Sequence, residues 1–464
     1  MELKPYIGLE VHTQLKTESK LFCKCKAEFG EEPNTNVCPI CLGMPGVLPV
    51  LNEKAVELGV RVSLALNCDI SYVSSFARKN YFYPDLPKGY QITQYTFPIG
   101  KNGFVDIGEK RIRIRRVHIE EESAKLIHTG DSSLVDFNRA GIPLLEIVTE
   151  PDIESGEEAV KYLRILQAIL RFTGASDADM EKGMMRCEPN ISVGTIKRMG
   201  TRTEIKNLNS FKAVQRGINY EIMRQSELLK NGEKVEQVTL LYDESKKKTG
   251  IMRKKETAAD YRYFPEPDLP PLSLDKKYIE KIKNTQPELP FEKKKKYVEE
   301  FGVREYEAEI IGFDLKLSRY FESAIKIFSD GEMLSKWLVS ELLSYEDYEK
   351  IPVEDFIHLL RMVRDGKITR RAAKDVLEEM YSTRKNPEEL VKRGKIAVVD
   401  DESKIANFIK EIMEEHPTER DRFLKGDERL LGYFVGQVMK KTRGNADPKI
   451  VNRLIREYAE RNKG

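Results

Sequence analysis

The chain has 464 residues, and its 78 Lys and Arg so nearly match its 76 Asp and Glu that net charge singles out neither a polyanion nor a membrane surface as partner. The length suggests about two to four domains with at least one large core. No apolar run reaches the roughly 18 residues that a membrane span needs, and the opening residues lack a signal-peptide pattern, so a soluble, cytoplasmic protein is expected. Charged residues make up 33% of the chain with a Lys/Glu bias, which resembles thermophile compositions.

A strand is predicted over Pro5–Leu15. Cys23-Lys-Cys25 and Cys38-Pro-Ile-Cys41 follow, separated by twelve residues. Two close thiol pairs of this kind suit a tetrahedral, closed and therefore structural zinc site, with reduced free thiols as the rival reading. Disulfides are not expected in the cytosol. Cys68 and Cys187 have no such partner and read as buried small hydrophobes. Asn52 is a natural N-cap for a helix over Asn52–Leu66.

Residues 76–95 combine Arg78, Lys79 and Lys88 with four tyrosines, Pro84, Pro87, Asp85 and Gly89. The prolines exclude a continuous helix or a central strand. A rigid loop offering cations and rings to a polar partner fits, as does a pair of structural turns. Residues 260–272 partly repeat the pattern.

Further strands are predicted at Val105–Ile107, Arg111–Glu120, Pro143–Glu150, Cys187–Val193 and Thr201–Ile205. Helices are predicted over Glu157–Phe172, with Ser155 and Glu158 as a capping box, and over Ser210–Lys230. Two-residue alternation without regular strand–helix alternation favours an α+β fold built on an antiparallel sheet with one covered face. Beyond residues 284–300, where Pro287, Pro290 and Lys293–Lys296 suggest a linker, only helical stripes remain. Examples are Phe321/Ala324/Ile325/Phe328, Phe356/Leu359/Leu360/Val363 and, after Thr369, Ala373/Val376/Leu377/Met380. A last helical module is expected from about Asn407. From Arg429 onward it carries nine Lys or Arg against three Asp or Glu and is punctuated by glycines, among them Gly432, Gly436 and Gly444. That excess suits a phosphate backbone or a merely solvated surface.

Period-two reading puts Glu10, His12 and Gln14 on one strand face. It does the same for Arg116, His118 and Glu120; for Glu146 and Glu150; for Arg186, Glu188 and Asn190; and for Arg202, Glu204 and Lys206. Carboxylates and cations on neighbouring strands are the components of a Mg-nucleotide site, or of a solvated face laced with ion pairs. No P-loop, dinucleotide-binding glycine fingerprint or G-x-S-x-G elbow occurs, so a nucleotide would have to lie on the sheet.

Ile7–His12, Cys38–Pro49, Arg78–Gln91, His118–Lys125, Val135–Asp152, Arg186–Val193, Glu204–Phe211, Asp260–Leu272 and Gly432–Lys441 together closely resemble the B subunits of the bacterial and archaeal Asp/Glu-tRNA amidotransferases. The resemblance implies an antiparallel-sheet cradle like the catalytic domains of glutamine synthetase and guanido kinases over 1–292, a helical domain over 293–406 and a tRNA-binding tail over 407–464. It implies ATP and Mg²⁺ as cofactors of a ligase that phosphorylates the side-chain carboxylate of Glu-tRNA(Gln) or Asp-tRNA(Asn). Ammonia from a glutaminase (amidase) A subunit then displaces phosphate, and a small C subunit completes the complex.

Under the resemblance, Glu10, His12, Glu120 and Glu150 are the expected metal ligands, with Glu120 also catalytic. Lys79, Arg186 and Lys206 are expected to neutralise phosphate oxygens. Glu188, Asn190 and Glu204 are further candidates for nucleotide or metal contact, and Tyr81 and Lys88 for ammonia entry or docking of the aminoacyl end. Many members read Glu-Thr-Arg where this chain has Val238-Thr-Leu240, so no role of that arginine carries over. Some members lack the four cysteines, which places zinc outside the chemistry. The rival readings are a non-catalytic tRNA-binding scaffold and a stand-alone small-molecule kinase.

Overall fold

A computed structural model describes residues 2–28, 30–254, 260–394, 402–442 and 446–462. Two units make up the chain, Met1–Glu292 and Lys293–Gly464. The first begins with β1 (Leu3–Gln14), α1 (Glu53–Ala65), β2 (Asp69–Ile70), β3 (Val73–Ser74), β4 (Ala77–Asn80), β5 (Tyr90–Thr93), β6 (Gly100–Asp106) and β7 (Arg111–Glu121). It continues with β8 (Lys125–Thr129), β9 (Ser132–Asp136), β10 (Pro143–Thr149), α2 (Gly156–Phe172), β11 (Met185–Thr195), β12 (Thr203–Lys206) and α3 (Phe211–Lys230). It ends with β13 (Val238–Asp243), β14 (Lys248–Lys254), β15 (Phe264–Pro265), β16 (Leu272–Ser273) and α4 (Lys276–Asn284).

Nine strands form one sheet in the order β14-β13-β12-β11-β1-β10-β7-β6-β2. Its pairs are antiparallel except β12 with β13, giving a mixed α+β unit. Alternation decides which face is dry: Ile7, Leu9 and Val11 of β1 are fully buried. On that side α1 packs on β6 and β7, and α3 on β11. Asn52 caps α1 by accepting from the N–H groups of Lys54 and Ala55, and Ser155 Oγ accepts from Glu158 N. The capping box is displaced, because the Glu158 carboxylate accepts from Glu154 N instead. The helix opens on glycine for a packing reason: a Cβ on Gly156 would come within 2.6 Å of Gln215 O on α3.

Several expectations change. Residues 76–95 form a hairpin, β4 paired with β5, and the prolines lie in its connection. The partial repeat extends it, since β15 pairs with β4. β13 and β14 escaped the period-two reading because Leu241 and Ile251 are exposed apolar residues that blur the alternation. The expected linker is α5 (Pro290–Phe301). Its lysine run wraps the helix and finds carboxylates on several sides: Lys293 meets Glu322, Lys294 meets Glu305 and Glu309, and Lys295 meets Glu299.

The second unit is helical among its described residues. Residues 297–390 enclose one apolar core that includes Phe321, Trp337, Phe356 and Leu360. A separate core spans Ile405–Ala459. It starts in the helix Glu402–Glu415, ahead of Asn407. In the basic tail Lys441 pairs with Glu411 and Glu415, Arg453 with Glu402 and Glu457, and Arg429 with Asp427. Arg443, Gly444 and Lys463 lie outside the described residues. No described helix is long and apolar enough to cross a membrane.

One substitution at the N-cap of α2 and one within it probe this account. Ser155→Ala should cost about 1 kcal/mol through the lost cap. Leu166→Ala, at a fully buried position, should cost about 2–5 kcal/mol. Equilibrium denaturation measures both, and an unchanged midpoint for the first would remove the cap from the helix's stability.

Candidate active site

The uncovered sheet face carries the charged rows, and pairing register decides what they become. Across β11, β1, β10 and β7, Arg186 stands opposite His12, His12 opposite Glu146, and Glu146 opposite His118. The adjacent row runs Glu188, Glu10, Val148, Arg116. Both rows contribute to the lining of an open cavity of about 480 Å³, with Tyr81, Tyr95, Tyr261 and Tyr263 among its rings.

His12, Glu120 and Glu146 each offer one ligand atom, all within 4.8 Å of one another. His12 Nε2 lies 3.4 Å from Glu120 and 3.6 Å from Glu146. His118 Nε2 lies 2.7 Å from Glu146 and fixes that carboxylate, while Thr93 Oγ1 donates to Glu120 at 3.0 Å. Burial works against charge on every member. Even so, Glu146 and Glu120 raise both histidines above their ordinary range, and the imidazoles hold both carboxyls below theirs. Such a cluster favours a bound positive charge, either protons on the imidazoles or a hard divalent cation among imidazole and carboxylate donors.

Of the four expected metal ligands, His12 and Glu120 meet here. Glu10 lies one row away, accepting from Asn190 Nδ2 at 2.9 Å. Glu150 is not brought to the cluster. The register slips between Val148 and Thr149, β10 ends, and Glu150 is held by Arg115 through two bonds of 2.9 and 2.7 Å. Glu146 and His118 are the other members of the cluster. Both sat in the charged rows, but only cross-strand register shows that they meet.

The expected cations have prior partners. Arg186 makes a bidentate pair with the buried Glu122, at 3.0 and 2.6 Å, and Arg139 joins it at 3.2 Å. Burial opposes charge on Glu122, but the two guanidiniums outweigh it and keep the carboxyl below its usual range. Lys206 pairs with Glu188 at 2.7 Å and Glu204 at 3.2 Å; against burial, these raise it. Lys79 lies over the rings of Tyr261 and Tyr81, at 4.7 and 5.8 Å. Lys88 pairs with Glu121 and leaves Asp85 apart, with Oδ1 buried and unbonded. Arg78 is structural, clamped by Glu266 and Asp268. Glu121, Glu122 and Arg139 were not foreseen: alternation turns Glu121 to the face opposite Glu120, and the contacts that mark Glu122, with Arg139 and Arg186, join separate segments of the chain.

Cys23, Cys25, Cys38 and Cys41 converge, their sulfurs within 4.8 Å of one another, and all six cysteines are free thiols. Hydrogen bonding from Cys23 brings the Cys41 thiol down to about 5 against burial, with help from Cys38 and the Lys20 charge. Lys20 is fully buried, its Nζ 2.9 Å from Asn36 O and 3.8 Å from Cys41 Sγ. Four sulfurs at this spacing fit a closed tetrahedral metal site. Cys68 and Cys187 are buried.

Residues 5–280 match the family model described as GatB/GatE catalytic domain, and residues 319–458 the one described as GatB domain. The chain is 49% identical to the B subunit of the aspartyl/glutamyl-tRNA(Asn/Gln) amidotransferase of Persephonella marina, over 98% of this chain and 99% of that protein. The proteins of the same name from Thermodesulfovibrio yellowstonii and Carboxydothermus hydrogenoformans are 49% and 46% identical, each over 98% of this chain and over 99% and 98% of their own lengths.

Glu122→Gln leaves Arg186 and Arg139 without a counter-charge and should cost about 3–5 kcal/mol at neutral pH. Because folding depresses this carboxyl, its contribution is complete above the unfolded value, near pH ~4.3. It fades as pH falls through the folded value. Denaturant titrations of wild type and variant should therefore converge in acid.

Proposed function

Since the chain belongs to the GatB family, the B subunits of aspartyl/glutamyl-tRNA(Asn/Gln) amidotransferases, we propose that it performs the ATP-dependent step of tRNA transamidation. The carboxylate of Glu on tRNA(Gln), or of Asp on tRNA(Asn), attacks the γ-phosphorus of ATP and ADP leaves. Ammonia then attacks the activated carbonyl, releasing phosphate and forming Gln-tRNA(Gln) or Asn-tRNA(Asn). The ammonia comes from glutamine hydrolysed on an amidase A subunit, with a small C subunit completing the complex.

What carries the proposal is the row His12–Glu146–His118 beside Glu120, with Arg186 at its end; His12, Glu120, Glu146 and Arg186 line one open cavity, and His118 backs Glu146. His12, Glu120 and Glu146 would hold a Mg²⁺ ion, whose positive charge would offset negative charge on the reacting phosphate. Glu10 stands ready in the next row as a further carboxylate, with Glu188, Asn190 and Glu204 bordering the nucleotide. Lys79, Arg186 and Lys206 face phosphate oxygens. The carboxylates behind Arg186 and Lys206 hold those groups in one orientation before substrate arrives. Lys88 and Tyr81 receive ammonia or the aminoacyl end.

The first unit then acts as a cradle of the glutamine synthetase and guanido kinase type. The helical region 293–406 and the tail 407–464 grip the tRNA. The four cysteines hold a structural Zn²⁺ that ties the segment after β1 together.

ATP cleavage by the complete complex should be stimulated by Glu-tRNA(Gln) and not by Gln-tRNA(Gln) or free glutamate. Absence of cleavage with every substrate would leave only a scaffold. Glu120→Gln should abolish amidation while tRNA binding persists, and normal turnover would refute its role. Metal analysis should return about one zinc per chain; less than about half an atom counts against a closed site.

A further inference from the structure

We infer that Arg116 is a further anion-binding residue of the cradle, the guanidinium that meets phosphate oxygens of the nucleotide. This rests on the phosphoryl-transfer reading above and adds a residue which that reading does not use.

A break in the pleat puts it there. On β7, Arg116 pairs with Val148 and Ile114 with Thr149, so Arg115 is an extra residue without a partner on β10. The buried positions change parity across it, from Ile112 and Ile114 to Val117 and Ile119. Two successive arginines therefore emerge on the cavity side, and both line the cavity. Bulges commonly re-aim side chains beside functional sites.

The two arginines differ in what they already hold. Arg115 is occupied by Glu150. The Arg116 side chain makes no hydrogen bond or ion pair among the described residues, and its Nε is shut away from water without an acceptor. By contrast Arg186, Lys206 and Lys88 each carry a carboxylate partner. A buried donor left unpaired is costly and rare, so an acceptor brought by a ligand is the natural complement.

Position selects the acceptor. Arg116 precedes His118 by two residues on the same face, roughly 7 Å along the strand. Phosphate oxygens next to the His12/Glu120/Glu146 cluster lie within one side chain's reach. The planar fork of an arginine binds a phosphate through two parallel bonds, which a lysine cannot reproduce.

The test uses the complete complex carrying Arg116→Met or Arg116→Lys. Calorimetry reads MgADP binding and filter binding reads Glu-tRNA(Gln). Arg116→Met should weaken MgADP by about tenfold or more, with tRNA affinity kept within about twofold, and Arg116→Lys should recover part of the loss. Because Arg116 has no partner among the described residues, both variants should melt with the wild type. If the Met variant melts early, the Lys variant carries the comparison. Unchanged MgADP affinity overturns the assignment. So does a loss confined to Glu-tRNA(Gln), which would move the contact to the aminoacyl carboxylate. Wild-type complex run alongside separates the two levels. If it binds MgADP and cleaves ATP with mischarged tRNA, the parent reading stands whatever the variants do. If it does neither, that reading falls and takes this one with it.

Discussion

The site depends on how β1 is paired between β10 and β11. That register sets His12 opposite Glu146 on one side and opposite Arg186 on the other, and β7 then sets His118 against Glu146. A slip of one residue would turn these side chains into the core and carry Ile7, Leu9 and Val11 into the cavity. The fully buried apolar face of β1 therefore holds the polar face in place. The stability of the dry side and the geometry of the wet side are one constraint.

On the wet side charge is grouped before any ligand arrives. Glu120 and Glu146 share two imidazoles, Glu122 shares two guanidiniums, and Lys206 shares two carboxylates. Each grouping offsets the burial of its neighbours and restricts how they point, which is what preorganised stabilisation of a developing charge requires. The arginines at the bulge mark where that grouping is complete and where it is left open: Arg115 is bound by Glu150, and Arg116 has no partner among the described residues.

The supporting pieces are joined by small contacts. Arg78 ties the β4–β5 hairpin to the segment after β15 through Glu266 and Asp268, so the two Tyr- and Pro-rich stretches form one wall. The cysteine loop reaches the same wall. Cys23 and Cys41 border a cavity of about 120 Å³ that Lys88, Tyr90 and Glu121 also line. A metal in the four-sulfur site would thus stiffen a loop that abuts the Lys88–Glu121 pair.

Much of this was legible in the residues themselves. Alternation marked β1, β7, β10 and β11 and their charged faces, caps such as Asn52 and Ser155 marked helix starts, and the spacing of four cysteines marked their meeting. These are local signals, carried by period, by one side chain reaching its own backbone, or by short loops. Which charged residues would meet was not local. Glu146 meets His12 and His118 because pairing register sets them opposite one another, Arg115 and Arg116 share a face because β7 bulges, and Lys88 of the hairpin meets Glu121 of β7. The sequence by itself determined which faces are polar and what donors they carry, since side-chain direction along a strand follows from the chain's own pleat. Only the tertiary structure decided which donors converge, because pairing register and bulges arise between strands distant in sequence.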